Sequence, residues 1–192
     1  MPRWPEHSRE RLVDAALTLF GEQGYQATTV DQIADRAGVT ARTFFRHFPD
    51  KEEVLFAEDD ALLPFLLTTI RDAQGPSDAE HLMHHALGEL ADAMEPQRAV
   101  LSHRQRIIDS DVALSGRELA KQAHWQTAVA TALMDRGFAE DQADVLAAIG
   151  FALFRRGLHG WLADDAPTRL RDRISAALPS IRTVLDARPA EA

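Results

Sequence analysis

Arg42 and Arg46 stand four residues apart in the run TTVDQIADRAGVTARTFFRHFPDK, residues 28–51. At about 100° per residue, helical spacing puts both guanidiniums on one side and Phe44 and Phe48 on the other. A guanidinium can donate two parallel bonds to O6 and N7 of guanine, roughly 1–3 kcal/mol of discrimination against a wrong base. Thr43 and Phe45 flank the two arginines, and His47 sits at the edge of their face. Lys51, beside the start of a fourth helix, is a candidate for holding a phosphate, as are Thr28 and Thr29 at the start of the second, because helix N-termini offer free N–H groups. An ordinary helical hairpin with solvated arginines has the same pattern, so the residues alone leave both readings open.

The elements that must position these groups are helical throughout. Leu12, Ala15, Ala16, Leu19 and Phe20 follow the i, i+3, i+4, i+7, i+8 rhythm of a first helix that Gly24 would end. Thr29 with Gln32 predicts a capping box opening a second helix, and Gly38 breaks it. Thr40 caps a short third helix that Pro49 stops, and the pair of short helices joined by Ala37-Gly38-Val39-Thr40 is a helix-turn-helix pattern. Asp50 with Glu53 predicts a box opening a fourth helix through Val54 and Leu55, with Pro64 bending or dividing the helical stretch beyond it. Further helices are expected from a Ser77/Glu80 box to about Met94, from Pro96 to about Asp109, from near Ser115 to Arg136, and from Glu140 to Ala163. A last one starts at Thr168 and is bent by Pro179. The fold class is therefore all-α with about nine helices, divided into residues 1–56 and 57–192.

The chain of 192 residues has no cysteine, which excludes a disulfide scaffold, a thiolate zinc site and a cysteine nucleophile. No apolar run is long enough to span a membrane and the first residues lack an apolar leader core, so a cytoplasmic location and no membrane partner are expected. A net charge of −9 speaks against nucleic acid when taken whole. Residues 1–51, however, hold seven basic and seven acidic side chains, so the entire excess of acid lies in residues 52–192. No Walker loop, dinucleotide-binding glycine pattern, HExxH or G-x-S-x-G elbow is present, so no cofactor is expected and the chain does not read as an enzyme.

The run TTVDQIADRAGVTARTFFRHFPDKEEVL, together with the preceding helix and its GEQGYQATT turn, resembles the DNA-binding signature of the TetR/AcrR family over residues 8–56. The resemblance implies an N-terminal three-helix DNA-binding domain and a C-terminal helical ligand-binding and dimerisation domain. It implies a homodimeric transcription factor, usually a repressor released from a double-stranded operator by a small molecule. By the family pattern Thr29, Thr40, Arg42, Thr43, Phe45, Arg46, His47 and Lys51 face DNA. Phe45 departs from the family, which very often carries tyrosine there, so a phosphate-bonding hydroxyl is missing.

In the larger part, the helix from Glu140 is apolar on more than one face, which suits an element between its own core and a second subunit. The resemblance implies a four-helix dimer interface, for which Leu153, Trp161, Leu170, Ile174, Leu178 and Ile181 are the candidates. Met83, Met94, Trp125, Phe151, Phe154 and His159 are candidates to line an apolar effector pocket, with His103 and Arg106 to meet an anionic group. The segments RQRIIDSDVAL and ELAKQAHWQTAVATAL resemble regulators whose C-terminal domain binds acyl-CoA-like ligands. His81 and His85 stand i, i+4 near His84, but a plain histidine cluster accounts for them and no metal site is assigned. The rival readings are an all-helical enzyme or a dimerising adaptor with a vestigial helix-turn-helix. If Phe45 packs against sugar or a thymine methyl, Phe45→Tyr keeps or raises operator affinity; a clear fall in a gel-shift titration refutes that role.

Overall fold

The computed structural model of the chain describes residues 7–74, 78–164, 166 and 168–177. In chain order, helices α1 (Ser8–Gln23), α2 (Val30–Arg36) and α3 (Ala41–His47) are followed by a 3-10 turn, Glu52–Phe56. Then come α4 (Asp59–Asp72), α5 (Ala79–Met94), a second 3-10 turn, α6 (Arg98–Asp109), α7 (Val112–Asp135), α8 (Glu140–Ala163) and α9 (Leu170–Ala177). No strand occurs among the described residues, and no helix among them is long and apolar enough to cross a membrane. The architecture is all-α, as the periodicity required.

The chain divides into two compact units, and the division is not a single cut at residue 56. The first unit takes the chain up to Asp60 and also Ala99–Leu119; the second takes Ala61–Arg98 and the residues from Ala120. The reason is burial. Ile107, Ile108 and Leu114 belong to the same apolar core as Leu12, Ala16 and Phe20 of α1, Ile33 of α2, and Phe44, Phe48 and Val54. Each such large side chain removed from water contributes about 1.5–3 kcal/mol.

Local chemistry sets the bounds of the short helices. Thr29 and Gln32 form the complete reciprocal box at the start of α2, and Thr40 accepts from the Thr43 N–H at the start of α3. Gly38 adopts φ 67°, in the left-handed region where a side chain would be strained, and so turns the chain between them. The expected fourth helix differs. Asp50 does accept from the Glu53 N–H at 2.8 Å, but the stretch it opens is the five-residue 3-10 turn, and α4 starts only at Asp59. Pro64 lies inside α4. The cap of α5 is Asp78, which accepts from the His81 N–H at 2.9 Å; Ser77 lies outside the described residues. Asp111 accepts from the N–H groups of Ala113 and Leu114, so α7 starts at Val112, three residues before Ser115.

In the second unit α9 packs on α5 and α8. Leu170 and Ile174 are wholly buried there, and Gly157 of α8 lets Ile174 approach so closely that a Cβ would lie 3.0 Å from its Cγ1. Arg171 binds Glu89 and Asp92, each at 2.7 Å. Trp161 is 1% exposed, with the Arg98 guanidinium 5.0 Å from its ring centre. Three candidates for a dimer interface, Trp161, Leu170 and Ile174, are therefore spent on packing within their own chain. Leu178, Ile181 and the bend at Pro179 lie outside the described residues.

Candidate nucleic-acid interface

α3 is a seven-residue helix with one inner and one outer side. Phe44 and Phe48 are 0% and 1% exposed, their ring centres 5.5 Å apart, and the Arg9 guanidinium stacks on Phe48 at 5.1 Å. Phe48 lies past the last helical residue in extended conformation, yet its side chain still turns inward. Arg42 and Arg46 are exposed, and Phe45 is 55% exposed with its ring nearly perpendicular to that of Phe44. The outer surface of α3 therefore carries two guanidiniums, an aromatic ring and the Thr43 hydroxyl, which lies 3.2 Å from that of Thr40. Thr29 and Thr40 are exposed at the two helix starts.

His47 is half-buried between Ser8 and Arg46. Its Nε2 lies 3.0 Å from Ser8 Oγ and 3.3 Å from Arg46 Nη2. Arginine has no acceptor, so Nε2 must carry a lone pair and accept from it. Burial, then the charges of Arg46 and Arg9, push the imidazole below its ordinary value. His47 thus presents a neutral ring near pH 7 and adds no positive charge to the face.

Two of the sequence candidates are turned to other work. Thr28 is 1% exposed; its hydroxyl donates to the Gly24 carbonyl at 2.8 Å and accepts from Gln23, leaving no surface for a phosphate. Lys51 donates from Nζ to the carbonyls of Tyr25 and Thr28, both at 2.8 Å, and lies 4.0 Å from the Tyr25 ring centre. Burial lowers its basicity. Its ammonium ties the loop before α2 to the turn after α3, and the start of the 3-10 turn offers no long helix to support a phosphate.

Around Lys51 stand groups that no sequence spacing singles out. The Tyr25 hydroxyl donates to Glu52, and burial followed by that carboxylate drives the phenol well above its ordinary value. Arg117 of α7 donates from one Nη2 to Asp50 at 2.9 Å and Glu53 at 2.7 Å. Burial raises the Asp50 carboxyl, but the Glu53 N–H and Arg117 outweigh it and hold the group below its ordinary value. Gln26 donates to Asp111 at 2.6 Å, and the Arg104 guanidinium donates to the Leu55 carbonyl over the Phe56 ring. At the far end of α2, Arg36 binds Glu22 through both terminal nitrogens, at 2.7 and 3.2 Å. The only local signal among these is the 50/53 spacing.

The candidate pocket residues do not form one set. His103 belongs to the first unit, where its Nε2 donates to the Leu17 carbonyl at 3.0 Å and its ring sits over Gly21. Arg106 beside it is exposed and reaches His103 Nδ1 at 3.4 Å. The bond of His103 to the α1 backbone is a tie within the first unit. Met83 and Met94 are buried, with Met83 Cε against Gly150. Trp125, Phe151 and Phe154 are half-buried, as is Leu153, and His159 is exposed. On α5, His81 is exposed while His84 and His85 are half-buried.

Residues 12–57 match the family described as bacterial regulatory proteins, tetR family. Over 63 residues the chain is 51% identical to the HTH-type transcriptional regulator TcmR of Streptomyces glaucescens, a match covering 31% of this chain and 28% of that one. Over 106 residues it is 32% identical to the HTH-type transcriptional regulator HbdR of Aromatoleum sp. (strain CIB), covering 54% and 46%. The chain thus spans less than half the length of these two curated relatives. Its fold is similar to that of the transcriptional regulator FadR of Bacillus subtilis, solved in complex with stearoyl-CoA. The TM-score is 0.63 at 16% identity, over 90% of this chain and 96% of that one.

The depressed Asp50 carboxyl has a consequence for acid stability. A carboxyl whose folded value lies below its unfolded one stabilises the fold above the unfolded value and loses that contribution as pH falls through the folded one. Asp50→Asn should therefore lower the melting temperature at pH 7 and flatten its decline between about pH 5 and pH 3. An acid limb as steep as the parent's in a pH series of thermal melts would show that Asp50 carries none of it.

Proposed function

Because this chain belongs to the TetR/AcrR family of regulators, we propose that it is a homodimeric DNA-binding transcriptional regulator of the cytoplasm that represses from a pseudo-palindromic operator. The observation that carries this reading is the two-sided α3: phenylalanines closed into the core, and the guanidiniums of Arg42 and Arg46 exposed with Thr43 and Phe45 between them. A helix of that kind can lie in a major groove, and a two-fold dimer would set two of them roughly 34–36 Å apart. Thr29 and Thr40 stand at the helix starts where phosphates would approach.

The dimer surface in this reading is the strip of α8 formed by Val145, Leu146, Ile149 and Leu153. Val145 is 57% exposed and the other three are half-buried. An apolar strip left open on a long helix suits a second copy of the same helix. The effector in this reading is a small hydrophobic, acyl-CoA-like molecule. Support comes from the shared fold with a regulator solved with stearoyl-CoA, and from the aromatic and methionine side chains of α5, α7 and α8.

Genomic fragments captured by the full chain and sequenced should share a palindrome, and their binding should weaken steeply with salt. Stearoyl-CoA should release the best fragment. Binding without sequence preference overturns the regulator reading, whereas indifference to stearoyl-CoA removes only that effector class. Val145→Glu should convert the dimer to a species of half the mass in gel filtration with light scattering; an unchanged mass would place the interface elsewhere.

A further inference from the structure

Residues 50–53, two positions past Phe48 at the end of α3, hold four consecutive charged side chains engaged in three separate ties. Asp50 and Glu53 share one nitrogen of Arg117, Lys51 reaches the carbonyls of Tyr25 and Thr28, and Glu52 accepts from the Tyr25 hydroxyl. The ties of Lys51 and Glu52 join the turn to the loop before α2. The Arg117 bridge runs to α7, 64 residues on from Glu53.

We propose that Arg117 is a positioning residue for DNA binding: by bridging Asp50 and Glu53 it fixes the turn that ends α3, and so the angle at which Arg42 and Arg46 meet the groove. This rests on the DNA-binding reading above and deepens it. The geometry explains why one side chain has such reach. α3 has only seven residues, and its last anchored ring, Phe48, precedes Asp50 by two positions. The backbone between them is extended at Phe48 and proline at 49, a stiff link that transmits any movement of Asp50 to the helix end. Asp50 also caps the 3-10 turn through the Glu53 N–H, so both carboxylates that Arg117 holds belong to one hydrogen-bonded unit. Arg117 is 31% exposed at its side chain, Glu53 21% and Asp50 39%, so the Glu53 arm of the bridge is the better sheltered from solvent screening.

The test uses the full chain, titrated by fluorescence anisotropy against the genomic fragment recovered above and against a scrambled duplex of the same length. Arg117→Gln should weaken binding to the fragment about tenfold, and Arg117→Lys, which keeps the charge, should recover most of the loss. The salt slope should stay that of the parent, because a residue acting through α3 removes no phosphate contact; a direct phosphate contact would lower the slope by about one. Amide exchange in residues 41–48 should quicken in Arg117→Gln. Should Arg117→Gln lose its far-ultraviolet spectrum, the double change Asp50→Asn with Glu53→Gln breaks the same bridge from its other side and is judged by the same readouts. Unchanged affinity, or a loss accompanied by a shallower salt slope, overturns the proposal. If the parent itself shows no sequence preference, the regulator reading fails on its own. Amide exchange separates the two failures: faster exchange in residues 41–48 shows that the bridge holds α3 although the DNA-binding reading has failed, and unchanged exchange ends the bridge's hold on α3 as well.

Discussion

A seven-residue helix has no stability of its own in water, because nucleating the first turn costs more than two turns of hydrogen bonds return. α3 exists because Phe44 and Phe48 are driven into the core that α1, α2 and the start of α7 share. That burial fixes the rotation of the helix about its own axis. Once the two rings are inside, Arg42 and Arg46 have nowhere to be but outside. The cap by Thr40 and the left-handed turn at Gly38 then set where the helix begins.

Burial sets the rotation but not the inclination. A helix anchored by two rings can still rock about them, and the polar ties around residues 50–53 restrict that motion. These ties are partly sheltered, and those of Lys51 end on backbone carbonyls, which cannot move without their chain segments. An exposed ion pair is worth about 0–1 kcal/mol, so the Arg36–Glu22 pair alone settles little. Lys51, Tyr25 and Arg117 matter more for position than for total stability, because each joins segments far apart in the chain.

The electrostatics show the same division of labour. The excess of acid lies outside residues 1–51, and within them some of the basic groups are already engaged. Lys51 is bound to carbonyls, Arg9 lies on Phe48 and donates to the Ala57 carbonyl, and His47 is held neutral. The positive character of the proposed DNA face therefore rests on Arg42 and Arg46 far more than a count of basic residues suggests.

Much of this is legible in the sequence, wherever the determining interaction is local. Periodicity places most of the helices, capping residues place the starts of α2 and α3, and the opposition of Phe44 and Phe48 to Arg42 and Arg46 is a matter of helical geometry alone. Thr28 and Lys51 escape such a reading because their partners are backbone carbonyls, which no residue type announces. Trp161, Leu170 and Ile174 look the same in sequence whether an apolar stripe meets its own chain or a second copy; only the packing of α9 on α5 and α8 decides between them. The same holds for Arg117, whose bridge to Asp50 spans a separation at which sequence spacing carries no geometric information. Local sequence determined which side of each helix is apolar, since that depends on bond geometry within a few residues. The tertiary structure decided what each apolar or charged side meets, since that depends on burial summed over segments distant in the chain.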